Sequence, residues 1–338
     1  MARAGGRNNR GRFLKILLLD MLLPEAIDWL RERYELDCKP ELAQDLAAIE
    51  REIRDADAVV LPRKVAVTQR LLECAPLLRA VARLHVGTDN TDLEACRDRH
   101  VRVLQATTAN VRSNAEYLLA GLLMLFRRGV GCAVLGAGER PEAVRLGREL
   151  QGSMVGLIGL APTAHTLAPM LTTLGVKLIG YDPAIHHSAP IWQRLNIQPV
   201  SLPEMLQFAD AVSVQVMYAT RYRGFINEQV LAHCRPGQVW VGISRSSLFE
   251  PAALASALTD GRIDACLLDG PEAGFADAGS PLHDLANFYV TPRLGSHTRE
   301  ARSRASWYVA HRLHAVLDQP TGAADLPATA PGDLSAVA

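Results

Sequence analysis

With 338 residues, 49% of them hydrophobic and 21% charged, the chain can bury the cores of two domains, which excludes a disordered or fibrous protein. Lysine plus arginine balance aspartate plus glutamate at 36 each, so no global field draws it to nucleic acid or to an acidic membrane. Its expected partners are small molecules and itself. The six cysteines are scattered, with no Cys-x-x-Cys pair and no histidines at zinc-ligand spacing, which predicts reduced thiols, a cytoplasmic protein and no metal site.

Residues 1–12 are rich in Arg, Gly and Asn, and the apolar run after them is cut by Asp20 and Pro24 before it could form a signal-peptide core or a membrane span. Residues 15–20 read as a strand and 24–33 as a helix, and 56–61 and 78–83 read as further strands. Alternating strand and helix predicts a parallel sheet with helices on both faces. Ser113-x-x-Glu116 has the spacing of a capping box and predicts the start of a long apolar helix over 117–126, a bridge between domains. A second series of strands follows at 154–159, 176–181, 211–215, 239–243 and 265–268, then a final helix from Thr298 to about Leu317. The tail from Thr321, rich in Ala, Pro and Gly, is expected to be disordered.

The second series opens on a dinucleotide-site candidate. The strand ending at Gly159 runs into Leu160-Ala161-Pro162-Thr163-Ala164 and an apolar helix, the context that seats a pyrophosphate on a helix N-terminus. Of the G-x-G-x-x-G pattern only Gly159 is present, and Ala161 and Ala164 hold the other two positions. Pro162 removes an N–H, although proline suits the first helical turn. Asp182, at the end of the next strand and roughly 20 residues on, can accept hydrogen bonds from ribose hydroxyls, which favours NAD over NADP. A second glycine-rich stretch, Gly136 to Pro141, is not followed by a helix start and reads as an ordinary loop.

Several motifs in fixed order carry a resemblance over residues 15–317. Val86-Gly87-Thr88-Asp89-Asn90 is followed by Asn110 and Glu116, then by Gly147-Arg148-Glu149-Leu150-Gln151-Gly152 leading into Val155-Gly156-Leu157-Ile158-Gly159. Arg223-Gly224-Phe225-Ile226-Asn227, Arg235-Pro236-Gly237 and Ser244-Arg245-Ser246-Ser247 come after them. In these features the chain resembles the D-isomer-specific 2-hydroxyacid dehydrogenases. The resemblance implies an α/β protein of two Rossmann-like, doubly wound parallel-sheet domains with a cleft between them, and a homodimer. It implies a substrate domain of residues 13–113 plus 298–318, an NAD-binding domain of residues 114–297, and tails at 1–12 and 319–338. Gly159, Ala161, Pro162, Thr163, Ala164, Asp182 and Asp269 fall on its cofactor side, and Arg83, His85, Val86, Gly87 and Asn90 on its substrate side.

That family uses an arginine for the substrate carboxylate, a histidine as acid/base and a glutamate that tunes the histidine. Arg245 matches the arginine, and a guanidinium suits a planar carboxylate bidentately. The other two positions depart from the pattern. The glutamate falls on Gly274, with Glu272 two residues early, and the histidine is replaced by Arg293. An arginine stays protonated and cannot accept the hydroxyl proton. His297 and His85 are candidates for a replacement base, against a reading of both as surface rings, and Tyr218 reads as packing near the nicotinamide.

Arg83, Arg245 and Arg293 together would suit a dianionic substrate, against a reading of Arg83 as a solvated strand end. The expected function is an NAD-dependent oxidoreductase acting on an anionic 2-hydroxy acid or hydroxyalkyl phosphonate through an atypical base, with Arg245, Arg293, His297 and Glu272 at the catalytic centre. The alternative is a catalytically degenerate relative that senses NAD or binds a partner.

Overall fold

The computed structural model describes residues 12–85, 87, 90–132, 146–217 and 219–319. The expectations placed on Val86, on Tyr218 and on the Gly136–Pro141 loop lie outside them, as do those on the tails beyond Arg12 and Gln319. The two tail residues that are described are both engaged: Arg12 pairs with Asp57 at 2.7 Å, and the Gln319 carbonyl accepts from Arg79. The chain forms two units, one running to Asn110 and resuming at Arg299, the other covering Val111–Thr298.

In the first unit β1 (Lys15–Leu18), β2 (Glu35–Cys38), β3 (Ala58–Val60), β4 (Ala80–Arg83) and β5 (Arg102–Gln105) form a parallel sheet in the order β2-β1-β3-β4-β5. Ile16 and Leu18 of β1 enter one apolar cluster, and Leu17 enters the cluster on the opposite face. Side chains alternate along a strand, so a continuous apolar run is what a sheet covered on both faces requires. The helix Arg299–Leu317 supplies Val309, Ala310 and Leu313 to the first of these clusters. Its last carbonyls, at Val316 and Leu317, accept from the Arg79 guanidinium, which satisfies helix-end groups that lack a partner within the helix.

The second unit holds β6 (Met154–Ile158), β7 (Lys177–Tyr181), β8 (Gln198–Pro199), β9 (Ala211–Val214), β10 (Gln238–Gly242), β11 (Ile263–Asp269) and β12 (Phe288–Thr291). Their order is β12-β11-β10-β9-β6-β7-β8, all parallel. The chain builds outward from β6 in one direction and returns to build from its other side at β9. That reversal is the topological switch point of a doubly wound sheet, where strand ends diverge and leave a crevice. Both units are therefore Rossmann-like α/β folds, as expected.

One local expectation is corrected. The long helix spans Val111–Phe126, so Ser113 lies inside its first turn and is not an N-cap. The Ser113 hydroxyl pairs with that of Thr298 at 2.8 Å, and Glu116 is held by Arg112 at 2.6 Å. Both side chains that would have formed the capping box have better-placed partners. Gly121 lets this helix approach the sheet, because a side chain there would meet Val241 at 2.8 Å.

Candidate active site

The sequence-predicted residues of the second unit gather at the carboxyl ends of its strands. Gly159 follows β6 with φ +93°, and an added Cβ would lie 2.7 Å from the backbone of Val216, beside the end of β9. Only glycine lets the two strand ends approach that closely. The helix Pro162–Thr173 begins three residues on with proline in its first turn, and Ala164 of that turn is fully buried. Among the described residues the N–H groups of Ala161 and Thr163 have no acceptor within the chain. An anion at this helix end would meet open donors and the positive end of the dipole.

Asp182 stands at the end of β7 and organises this loop. One of its oxygens accepts from the N–H of Leu160 at 2.7 Å and the other from that of Ala184 at 2.7 Å. Each carboxylate oxygen has a second lone pair, so acceptor capacity remains for ribose hydroxyls. Gln215, which sequence reasoning missed, is 3% exposed and donates to the Gly159 carbonyl at 3.2 Å while accepting from Ser213 at 2.8 Å. A polar residue closing an apolar strand was the signal. The residues present fit a dinucleotide: a tight glycine turn, a helix N-terminus and a carboxylate one strand away.

The turns after β10, β11 and β12 carry the remaining groups. Arg245 precedes the short turn Ser246–Leu248, and its Nε lies 3.9 Å from Oε1 of Glu272. The other oxygen of Glu272 accepts from the Ser246 hydroxyl and from the Ser247 N–H, and Ser246 Oγ in return accepts the Glu272 N–H at 2.9 Å. Glu272 thus stitches the turn after β11 to the turn that presents Arg245.

Asp269 ends β11 and was expected on the cofactor side, yet both its oxygens are engaged by the next turn. They accept from the Thr291 hydroxyl at 2.6 Å, the Leu294 N–H at 2.7 Å and the Gly295 N–H at 2.8 Å. Because the Thr291 proton goes to the carboxylate, the Tyr117 hydroxyl, 2.6 Å away, must donate to Thr291. Burial, reinforced by the Asp269 charge, pushes the Tyr117 phenol up to about 12.

On the turn held by Asp269 stands Arg293, exposed and in the left-handed region at φ +59°. Among the described residues its guanidinium meets no acidic partner. His297 is also exposed, with its backbone N–H on the Leu294 carbonyl at 2.9 Å. Gly274, where the family's glutamate was expected, has φ +85° and open space around it.

The first unit's candidates cluster at the carboxyl end of its own sheet. Arg83 is fully buried rather than solvated, which corrects that reading, and donates to the carbonyls of Pro62 at 3.3 Å and Val65 at 2.9 Å. The Asn90 amide donates to the Arg63 carbonyl at 2.6 Å, and the Gly87 carbonyl accepts from Gln105 at 2.9 Å. His85 is half-buried beside them. Arg83 and Asn90 therefore shape the 62–65 loop through its backbone.

Among the described residues no helix is long and apolar enough to cross a membrane, and no group of three His, Cys, Asp or Glu side chains could hold a metal. Residues 122–295 match the family model described as D-isomer specific 2-hydroxyacid dehydrogenase, NAD binding domain. The chain is 32% identical over 305 residues to the (S)-sulfolactate dehydrogenase of Chromohalobacter salexigens, covering 88% of this chain and 98% of that protein. It is 33% identical over 306 residues to the D-3-phosphoglycerate dehydrogenase of Mycobacterium bovis, covering 89% of this chain but 56% of that protein, so it spans little more than half of that relative. The solved structure of the TT0316 protein from Thermus thermophilus superposes with a TM-score of 0.78 at 27% identity, covering 90% of this chain and 97% of the other.

Proposed function

The chain belongs to the D-isomer specific 2-hydroxyacid dehydrogenase family, and on that premise we propose that it is an NAD-dependent oxidoreductase interconverting an anionic 2-hydroxy acid and its 2-keto acid. We propose further that its preferred substrate carries a second acidic group, a sulfonate, phosphate or phosphonate. The observation that carries this reading is the exposed guanidinium of Arg293, without an acidic partner among the described residues, at the position where the family holds its histidine. The relatives are named for sulfolactate and 3-phosphoglycerate, both of which carry a carboxylate and a second strong acid.

The Gly159 turn, the first turn of the helix Pro162–Thr173 and Asp182 would hold the dinucleotide, which when bound supplies a hydride acceptor or donor. Arg245 pairs with the substrate carboxylate through its planar fork and fixes the orientation of the reacting carbon. Arg293 takes the second acidic group. Oxidation must also release the hydroxyl proton, which a guanidinium cannot accept. His297, four residues past Arg293, is the imidazole on this turn and takes that role.

Equilibrium binding of NADH, followed by a screen of 2-keto acids with and without a second acidic group, tests the proposal. Turnover of 3-sulfopyruvate or phosphonopyruvate above that of pyruvate and glyoxylate is expected. NADH binding with no turnover of any keto acid would instead favour a degenerate relative that senses NAD, a reading to which Pro162 and the absent histidine and glutamate lend weight.

A further inference from the structure

Arg293 and Gly270 are far apart in sequence and meet in space. The Gly270 N–H and the Arg293 N–H both donate to the Thr291 carbonyl, at 2.6 and 3.0 Å. Gly270 itself has φ +63°, and a Cβ built on it would overlap Cγ of Arg293 and come within 3.2 Å of its Cβ and Cδ. The side chain of Arg293 therefore lies across the bare face of Gly270. The shared carbonyl and the three bonds to Asp269 fix both backbones, so neither turn can drift to relieve such a clash.

We infer that Gly270 is a specificity-determining residue, the seat whose missing side chain lets Arg293 lie in the one direction in which it holds the second acidic group of a dianionic substrate. The inference rests on the reading of Arg293 as an anion ligand. A β-carbon at residue 270 would stand where Cγ of Arg293 now lies and would force that side chain into another rotamer. The bare face of Gly270 is thus what leaves room for the Cβ, Cγ and Cδ of the side chain at 293.

A double-mutant cycle tests the inference, with binding measured by calorimetry on the full chain saturated with NAD+, where a keto acid cannot turn over. The probes are 3-sulfopyruvate, with two acidic groups, and pyruvate, with one. Arg293→Ala and Gly270→Ala should each weaken 3-sulfopyruvate by about tenfold or more, the worth of one hydrogen-bonded charge, and pyruvate less than about twofold. In the Arg293→Ala background, Gly270→Ala should have almost no further effect on 3-sulfopyruvate.

Alanine at φ +63° is strained, so Gly270→Asn, which tolerates that region better, is measured beside it together with the thermal midpoint of every variant. Equal losses from Gly270→Ala in both backgrounds would assign its effect to backbone strain and overturn the inference, as would a Gly270→Asn protein that binds 3-sulfopyruvate like the parent. If Arg293→Ala alone leaves both affinities unchanged, the anion-ligand reading fails first, and the seat loses its purpose with it.

Discussion

Arg245 and Glu272 face each other across the turns that follow two adjacent strands, Nε to Oε1 at 3.9 Å, each side chain about a third exposed. At that separation and exposure the pair contributes only about 0–1 kcal/mol to stability. Glu272 is anchored by Ser246 and Ser247 independently of this pair.

Arg245→Ala is expected to abolish turnover, losing about 2–5 kcal/mol of transition-state binding by analogy with truncating one partner of a buried pair. Arg245→Lys should recover only a small part, because a point charge lacks the planar fork. Steady-state kcat/KM on the best substrate found is the measurement, and a near-parental Arg245→Ala protein would remove the residue from the reaction.

Arg293→His separates a remodelled enzyme from a decayed one. The single variant should lose activity on dianionic keto acids and gain none on pyruvate, since Gly274 offers the new imidazole no carboxylate. Gly274→Glu has the room but costs about 1–2 kcal/mol for a side chain at positive φ. Parental turnover lost in both the single and the Arg293→His/Gly274→Glu variants is expected; a silent parent with an active double variant would overturn the two-anion reading.

NADH should bind about tenfold or more tightly than NADPH, because the Asp182 carboxylate repels a 2′-phosphate and ~1.4 kcal/mol suffices for that factor. Asp182→Ala should erode the preference and also weaken NADH, since the Leu160 N–H loses its acceptor. Ala161→Gly with Pro162→Arg should tighten NADH by adding an N–H and a charge at the helix start. Calorimetry showing parental preference for NADPH, or no response to the loop substitutions, would move the pyrophosphate site elsewhere.

Tyr117 predicts an alkaline limb of stability. The fold favours its neutral phenol, so that contribution is complete below the ordinary tyrosine value of 10 and is lost as pH rises from 10 towards about 12. Tyr34, in the other unit, is raised by burial into the same window. Tyr117→Phe should cost about 1 kcal/mol at neutral pH through the lost bond to Thr291 and make the alkaline decline shallower without removing it. Thermal midpoints measured from pH 7 to above 10 check this, and a slope unchanged by the substitution would show that the phenol does not report on folding.

The alternation of strand and helix and the context of Gly159 and Asp182 were legible in the sequence from local periodicity and spacing, and the two-domain organisation and the places of Arg245 and Arg293 from the resemblance to the family. The edge strands β2, β5, β8 and β12 were not, since their half-exposed residues break the apolar run by which the buried strands β1, β3 and β4 were read. What the tertiary structure alone decided is which polar group meets which. Ser113 gave up a cap for Thr298, Arg83 turned inward to the 62–65 carbonyls, Asp269 was taken up by the Arg293 turn, and Gly270 became the surface on which Arg293 lies. Strand neighbours in a parallel sheet are brought together by long crossovers, so residues some twenty positions apart share an edge, and burial then obliges every polar atom there to take whichever partner that edge provides.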